Sequence, residues 1–134
     1  MKIKRLWTSL LCGAVVGSVF MVPAAASLKS TSVTFSMDDD EVVSAYTSTL
    51  SGSEAKPKVY NYSSSDKALR FYLQWSDGDG WKSKYTTTVS VGSVVTTDEY
   101  IEGEQSSDLW RIYVCPTASL LPKTINGKAV LYTQ

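Results

Sequence analysis

The chain contains no histidine. That removes the commonest general base, the commonest metal ligand and the Ser-His-Asp triad together. Cysteine is nearly missing as well, Cys12 and Cys115 being the only two, so a structural zinc site is excluded. No sign of charge dominates: 13 basic residues face 13 acidic ones. So weak an overall field does not draw in polyanions, which argues against nucleic acid as the main partner. Internal repeats and low-complexity tracts are absent, and so are long apolar runs, except at the N-terminus.

That N-terminal run has the order of a secretory leader. Lys2, Lys4 and Arg5 form a basic start, Leu6 to Val22 a mainly apolar stretch, and Ala24 and Ala26 the small residues of a cleavage site. We place the cut after Ala26, making residues 1–26 a leader of bacterial type and 27–134 one exported domain. Thr8, Ser9, Gly13, Gly17 and Ser18 dilute the run below what a retained spanning helix needs, so no stable membrane insertion is expected after cleavage. Leu11 stands before Cys12 where a lipoprotein would have a small residue, so Cys12 leaves with the leader. Three basic residues leave with it and no acidic one, so ten basic face 13 acidic residues, a net charge of −3. Cys115 then stands alone. No intrachain disulfide is possible, and the thiol is expected to be buried, the alternative being an exposed thiol free to pair with another chain.

What is present is strand pattern. Leu69, Phe71, Leu73 and Trp75 fall on every second residue with Arg70, Tyr72 and Gln74 between them, the period of a strand with one face on a core. Ser76 to Gly80 is a turn, after which Trp81, Tyr85, Val89 and Val91 continue as the second arm of a hairpin. Val33 to Met37, Lys58 to Tyr62, Val94 to Thr97, Leu109 to Cys115 and Lys128 to Thr133 read as further strands. Val42 to Leu50 fits a strand or one face of a helix, and its β-rich surroundings favour the strand. Residues 27–32 read as a loose N-terminus, 51–57 and 98–108 as loops, Thr117 to Leu121 as one helical turn, and Asn126-Gly127 as a type I′ hairpin turn. Seven or eight short strands and no convincing helix predict an all-β fold. The expected form is a small two-sheet antiparallel β-sandwich of immunoglobulin-like character, with a small β-barrel as the alternative.

No constellation of residues identifies a reaction, so no enzyme is expected. Among oxygen ligands, Asp77 and Asp79 alternate with glycines as in calcium loops, but Trp81 occupies the next ligand position, and a hairpin turn explains the same residues. Asp38, Asp39, Asp40 and Glu41 are the other calcium candidates, with a solvated turn as the simpler reading. No cofactor is expected; calcium is the alternative. The aromatic residues are more informative. Tyr72 and Tyr113 fall on the polar phase of their strands beside Arg70, Gln74 and Arg111, and with Trp75, Trp81 and Trp110 they form the candidate ligand-binding set. The sequence therefore predicts a secreted, non-catalytic surface-recognition module for a protein or a glycan. A bacteriocin-like or toxin-like effector is the alternative, and a carboxylate-dependent hydrolase the least favoured.

Overall fold

The computed structural model describes residues 28–38, 44–105, 107–117 and 124–134. The expected leader, Asp39, Asp40 and Glu41, and most of the helical turn expected after Thr117 lie outside the described residues. The fold is all-β, two antiparallel sheets packed face to face. The described residues form ten strands: β1 Lys29–Met37, β2 Ala45–Tyr46, β3 Leu50–Ser51, β4 Glu54–Asn61, β5 Leu69–Ser76, β6 Lys82–Val89, β7 Ser93–Thr96, β8 Ile101–Glu102, β9 Leu109–Pro116 and β10 Ile125–Thr133. The first sheet runs β1-β10-β4-β7, with β8 also on β4; the second runs β2-β9-β5-β6, with β3 also on β9. The paired antiparallel sheets are the feature shared with an immunoglobulin domain. In strand order, the C-terminal β10 lies inside its sheet between β1 and β4.

The core is what period-two alternation dictates. Leu69, Phe71, Leu73 and Trp75 of β5 and Trp110, Ile112 and Val114 of β9 face inward, against Phe35, Met37, Ala55, Val59, Ile125, Ala129 and Leu131 of the first sheet. All are buried. A slip of one residue in either β5 or β9 would turn its entire apolar set into water, so the register of this pair is fixed by the core.

Several segments expected as loops are strand. β1 begins at Lys29, because β10 offers partners as far as Thr133 and the Lys29 ammonium donates to the Ser51 carbonyl and hydroxyl. β4 begins at Glu54 and contains Pro57. The Pro57 carbonyl accepts from the Thr96 hydroxyl at 2.8 Å, so its nitrogen faces the same side, in the gap between β7 and β8 where no partner needs an N–H. Of the strand expected over Val42 to Leu50, Val42 and Val43 lie outside the described residues and the rest is interrupted: β2 and β3 are separate two-residue pieces on β9. Between them Thr47 pairs with Ile112 through both its N–H and its hydroxyl, replacing the missing ladder.

Asn126-Gly127 is not a turn. Both residues lie in β10, paired with Ser36 and Phe35. The buried Ser65 hydroxyl accepts from the Asn126 N–H and donates to its carbonyl, holding the backbone extended just beyond the end of β4. Gly127 is required by close approach: a Cβ there would overlap the Tyr60 carbonyl oxygen and sit 2.8 Å from the Phe35 ring. Gly127→Ala is therefore expected to destabilise the fold by about 1–3 kcal/mol, because backbone rather than a flexible side chain must give way. Denaturant unfolding checks this; an unchanged midpoint would show that β10 has room the structure does not.

Candidate functional site

The alternation that buries one phase of β5 and β9 exposes the other in matched rows. Arg70 stands opposite Cys115, Tyr72 opposite Tyr113, and Gln74 opposite Arg111. β2 extends the middle row, since Tyr46 pairs with Tyr113. Three tyrosines from three strands thus form one line across the outer face of the second sheet. Their rings are stacked, Tyr46 on Tyr113 at 4.9 Å between centroids and Tyr72 on Tyr113 at 5.6 Å, with interplanar angles of 28° and 26°. Tyr46 remains 47% exposed, so the row opens to water at the β2 end.

Arg111 completes the site. Its guanidinium carbon lies 4.3 Å from the Tyr46 ring centroid and 4.2 Å from that of Trp81, which places it against two π faces. Its Nε donates to the Gln74 side-chain oxygen at 2.8 Å. Two rings and a hydrogen bond fix the fork while its terminal N–H groups keep their donor capacity. Among the described residues the ion pairs are Lys82 with Asp77 and Lys84 with Glu104, so neither Arg111 nor Arg70 has a carboxylate partner. The outward positions of β2, β5, β6 and β9 carry no acid.

Of the five aromatic residues singled out from the sequence, Tyr72, Tyr113 and Trp81 belong to this cluster. Trp75 and Trp110 do not. Trp110 is fully buried, its indole N–H donating to the Gly52 carbonyl at 2.8 Å, and it fills the sandwich interior. Trp75 is 7% exposed, and Lys82 and Lys84 cover it with ammonium groups 5.2 and 5.0 Å from its ring. The inward phase that makes both good core residues keeps them from a ligand. Sequence reasoning missed Tyr46 and Arg111 as members. Arg111 carried a usable signal, a cation two residues from Tyr113 on the same strand face; Tyr46 did not, because its own strand is only two residues long.

Cys115 lies on the outward phase, half-buried, in correction of the burial expected for it. Pro116 still belongs to β9 and keeps the alternation intact through Cys115, so the thiol lines the outer row beside Arg70. Partial burial pushes the thiol above the ordinary cysteine range, with Arg70 and a hydrogen bond from Tyr113 pulling the other way. Burial also raises Tyr113 above the usual phenol range, helped by Cys115 and Tyr46.

The acidic candidates are not brought together. Asp77 and Asp79 form the β5–β6 turn with Gly78 and Gly80 at positive φ; the Asp77 carboxylate accepts from the Asp79 N–H and lies 3.7 Å from the Lys82 ammonium. Asp38 is half-buried at the end of β1, and Asp39 and Asp40 lie outside the described residues. Among the described residues no group of three potential metal ligands converges. Asp108, expected in a solvated acidic loop, is buried and accepts from the N–H groups of Glu104 and Gln105. It shapes the loop rather than presenting charge.

The opposite outer face is also aromatic and basic, but it is looser. Lys56 lies 6.0 Å from the Tyr100 ring and Lys58 5.5 Å from the Tyr60 ring. Each ammonium lies over one ring, and Lys56 also donates to the Asp98 carbonyl at 3.1 Å. Two open depressions, about 210 Å³ beside Tyr60 and Gly92 and about 370 Å³ beside Glu54 and Glu102, also belong to the first sheet.

No protein-family model matches the chain, and no curated protein matches it. Among solved structures it is similar to PirA, with 14% identity and a TM-score of 0.42 over 86% of this chain and 100% of that one. It is also similar to a chain from Bacillus endospore appendages, described as a novel family of disulfide-linked pili, at 11% identity and a TM-score of 0.40 over 87% and 98%. FLHE gives 13% and 0.35 over 81% and 96%. At such scores none of these carries a functional reading to this chain. Among the described residues no helix is long and apolar enough to cross a membrane.

Two predictions follow from this geometry. Trp110→Phe leaves the Gly52 carbonyl without its partner and a small void, so a loss of about 2–4 kcal/mol is expected in denaturant unfolding; a neutral result would mean that the indole N–H does not matter. The thiol of Cys115 is reactive only as thiolate, so its raised pKa slows alkylation. In the folded protein, iodoacetamide labelling at pH 8 is expected to lag behind that of a free cysteine and to accelerate as pH rises beyond the ordinary thiol range. Labelling as fast as the free amino acid at pH 8 would contradict the environment described.

Proposed function

We propose that the protein is an exported, non-catalytic recognition module that binds a partner protein through the outer face of the second sheet. The observation that carries this reading is Arg111 held between Tyr46 and Trp81 beside a pre-stacked row of tyrosines. Tyrosine, tryptophan and arginine are the residues that dominate binding energy in protein interfaces, and here they are contiguous, ordered and open to solvent. The stacking also bears on the choice between protein and glycan. A sugar-binding platform presents ring faces, whereas these tyrosine faces are turned toward one another and the exposed Tyr46 ring also carries Arg111. What remains outward is ring edges, hydroxyls and the guanidinium fork, which suits the mixed polar and apolar surface of a protein.

The test is saturable binding of the purified protein to intact cells of the producing strain. Replacing both Tyr72 and Tyr113 by alanine is expected to weaken binding about tenfold or more, and Tyr60→Ala on the other sheet to change it by less than about twofold. Protease treatment of the cells should remove the sites, and periodate oxidation of their glycans should leave them. The reverse pattern would assign the face to a glycan, and equal losses from both sheets would dissolve the assignment of this face.

A further inference from the structure

We infer that the tyrosine–arginine face docks an extended, acidic segment of its partner. Two carboxylate side chains four residues apart seat on Arg111 and Arg70, and an aromatic or apolar side chain between them lies over the Tyr72–Tyr113 pair. This rests on the recognition reading above and specifies its partner.

The first support is charge. Arg70 and Arg111 stand on one face with no acid among its outward residues and no ion pair of their own among the described residues. The whole chain has as many acidic as basic residues, so this face is a local excess of cations on a balanced molecule. The second support is immobilisation. Arg111 is held by two rings and by Gln74, so its terminal N–H groups present a fixed planar fork, the geometry that matches a carboxylate with two parallel hydrogen bonds. A flexible lysine pair would attract acids without selecting their position.

The third support is spacing. Gln74 with Arg111, Tyr72 with Tyr113, and Arg70 with Cys115 are successive outward rows. Rows two residues apart repeat at about 6.7 Å, so the two arginine rows are about 13 Å apart along the strands. An extended segment repeats its same-side side chains at that interval and meets all three rows in phase. A helix, with same-face positions about 5.4 Å apart per turn, falls out of step by the third row. The order acidic, spacer, aromatic or apolar, spacer, acidic is therefore what this face reads.

The probe is a fluorescent capped heptapeptide with two glutamates four positions apart and a tyrosine midway, titrated with the protein and read by anisotropy. We expect saturable binding that weakens with added salt and falls at least about fivefold when the glutamates become glutamines or are moved to three positions apart. Arg111→Lys keeps the charge but loses the planar fork, and it too should cost at least about fivefold, as should Arg70→Gln, which lies at the exposed end and does not hold the ring stack. Lys58→Gln and Lys128→Gln on the other sheet should leave binding unchanged, with melting temperatures confirming that all variants fold. No binding at millimolar peptide overturns the proposal, as does equal loss from the lysine variants or indifference to glutamate spacing. If the peptide fails while the tyrosine variants still abolish cell binding, the recognition reading stands and the acidic partner falls; if both fail, both fall.

Discussion

A strand side chain has two directions available, and in β5 and β9 one of them is taken entirely by the core. Leu69, Phe71, Leu73 and Trp75 cannot be moved outward without exposing the whole row, and Trp110, Ile112 and Val114 impose the same on β9. At roughly 1.5–3 kcal/mol for each large apolar side chain, a one-residue slip in either strand would cost about as much as the whole net stability of a small domain. The outward residues have therefore no freedom of placement. Tyr72 must meet Tyr113, Gln74 must meet Arg111, and Arg70 must meet Cys115. The proposed binding face is the reverse side of the core and is as precisely registered as the core.

This coupling explains what the sequence disclosed. β5 and β9 each carry alternation over seven or more residues, and their identity and facing were legible in the sequence, as were the sandwich class and the turn within Ser76 to Gly80, of which Ser76 itself belongs to β5. The polar-phase positions of Tyr72 and Tyr113 were legible for the same reason. Trp75 and Trp110 have the residue type of a binding surface but the phase of a core: both sit on the inward period, and tryptophan in that phase fills the interior. Tyr46 was hidden because pairing between distant segments leaves no local trace when one partner contributes only two residues.

The other departures share one cause. Asn126-Gly127, the stretch from Ser51 to Pro57 and the residues before Val33 are polar or turn-prone by composition, yet all are partly or wholly in strands. In each case a specific partner outweighs local preference. Ser65 satisfies both backbone groups of Asn126, Phe35 occupies the space over Gly127, and the β7–β8 gap accepts Pro57. Asn61 works in the same way between the sheets: buried at the end of β4, its amide donates to the carbonyls of Lys67 and Val89, tying the first sheet to the end of β6. Its Oδ1 is buried without a partner among the described residues, a cost of about 1–3 kcal/mol that the two donated bonds offset. Such polar junctions depend on residues far apart in the chain, so no window along the sequence reveals them.

Stacking decides what kind of binding this face supports. A side chain immobilised on association costs about 0.5–1.5 kcal/mol, and arginine lies near the upper end because it has many rotamers to lose. Tyr46, Tyr72, Tyr113, Trp81 and Arg111 already rest against one another in the unbound protein, so most of that cost falls on folding rather than on binding. At roughly 1 kcal/mol for each of five side chains, the saving approaches 5 kcal/mol, more than three powers of ten in affinity. A flat sheet surface gains little from enclosure and needs such a saving to bind at useful concentrations. The lysines of the opposite face each sit over a single ring, Lys56 with one further hydrogen bond to the Asp98 carbonyl, and have more of that entropy still to lose. Two faces of similar composition are thus unequal as binding surfaces, and the difference lies in which side chains were fixed before a partner arrives.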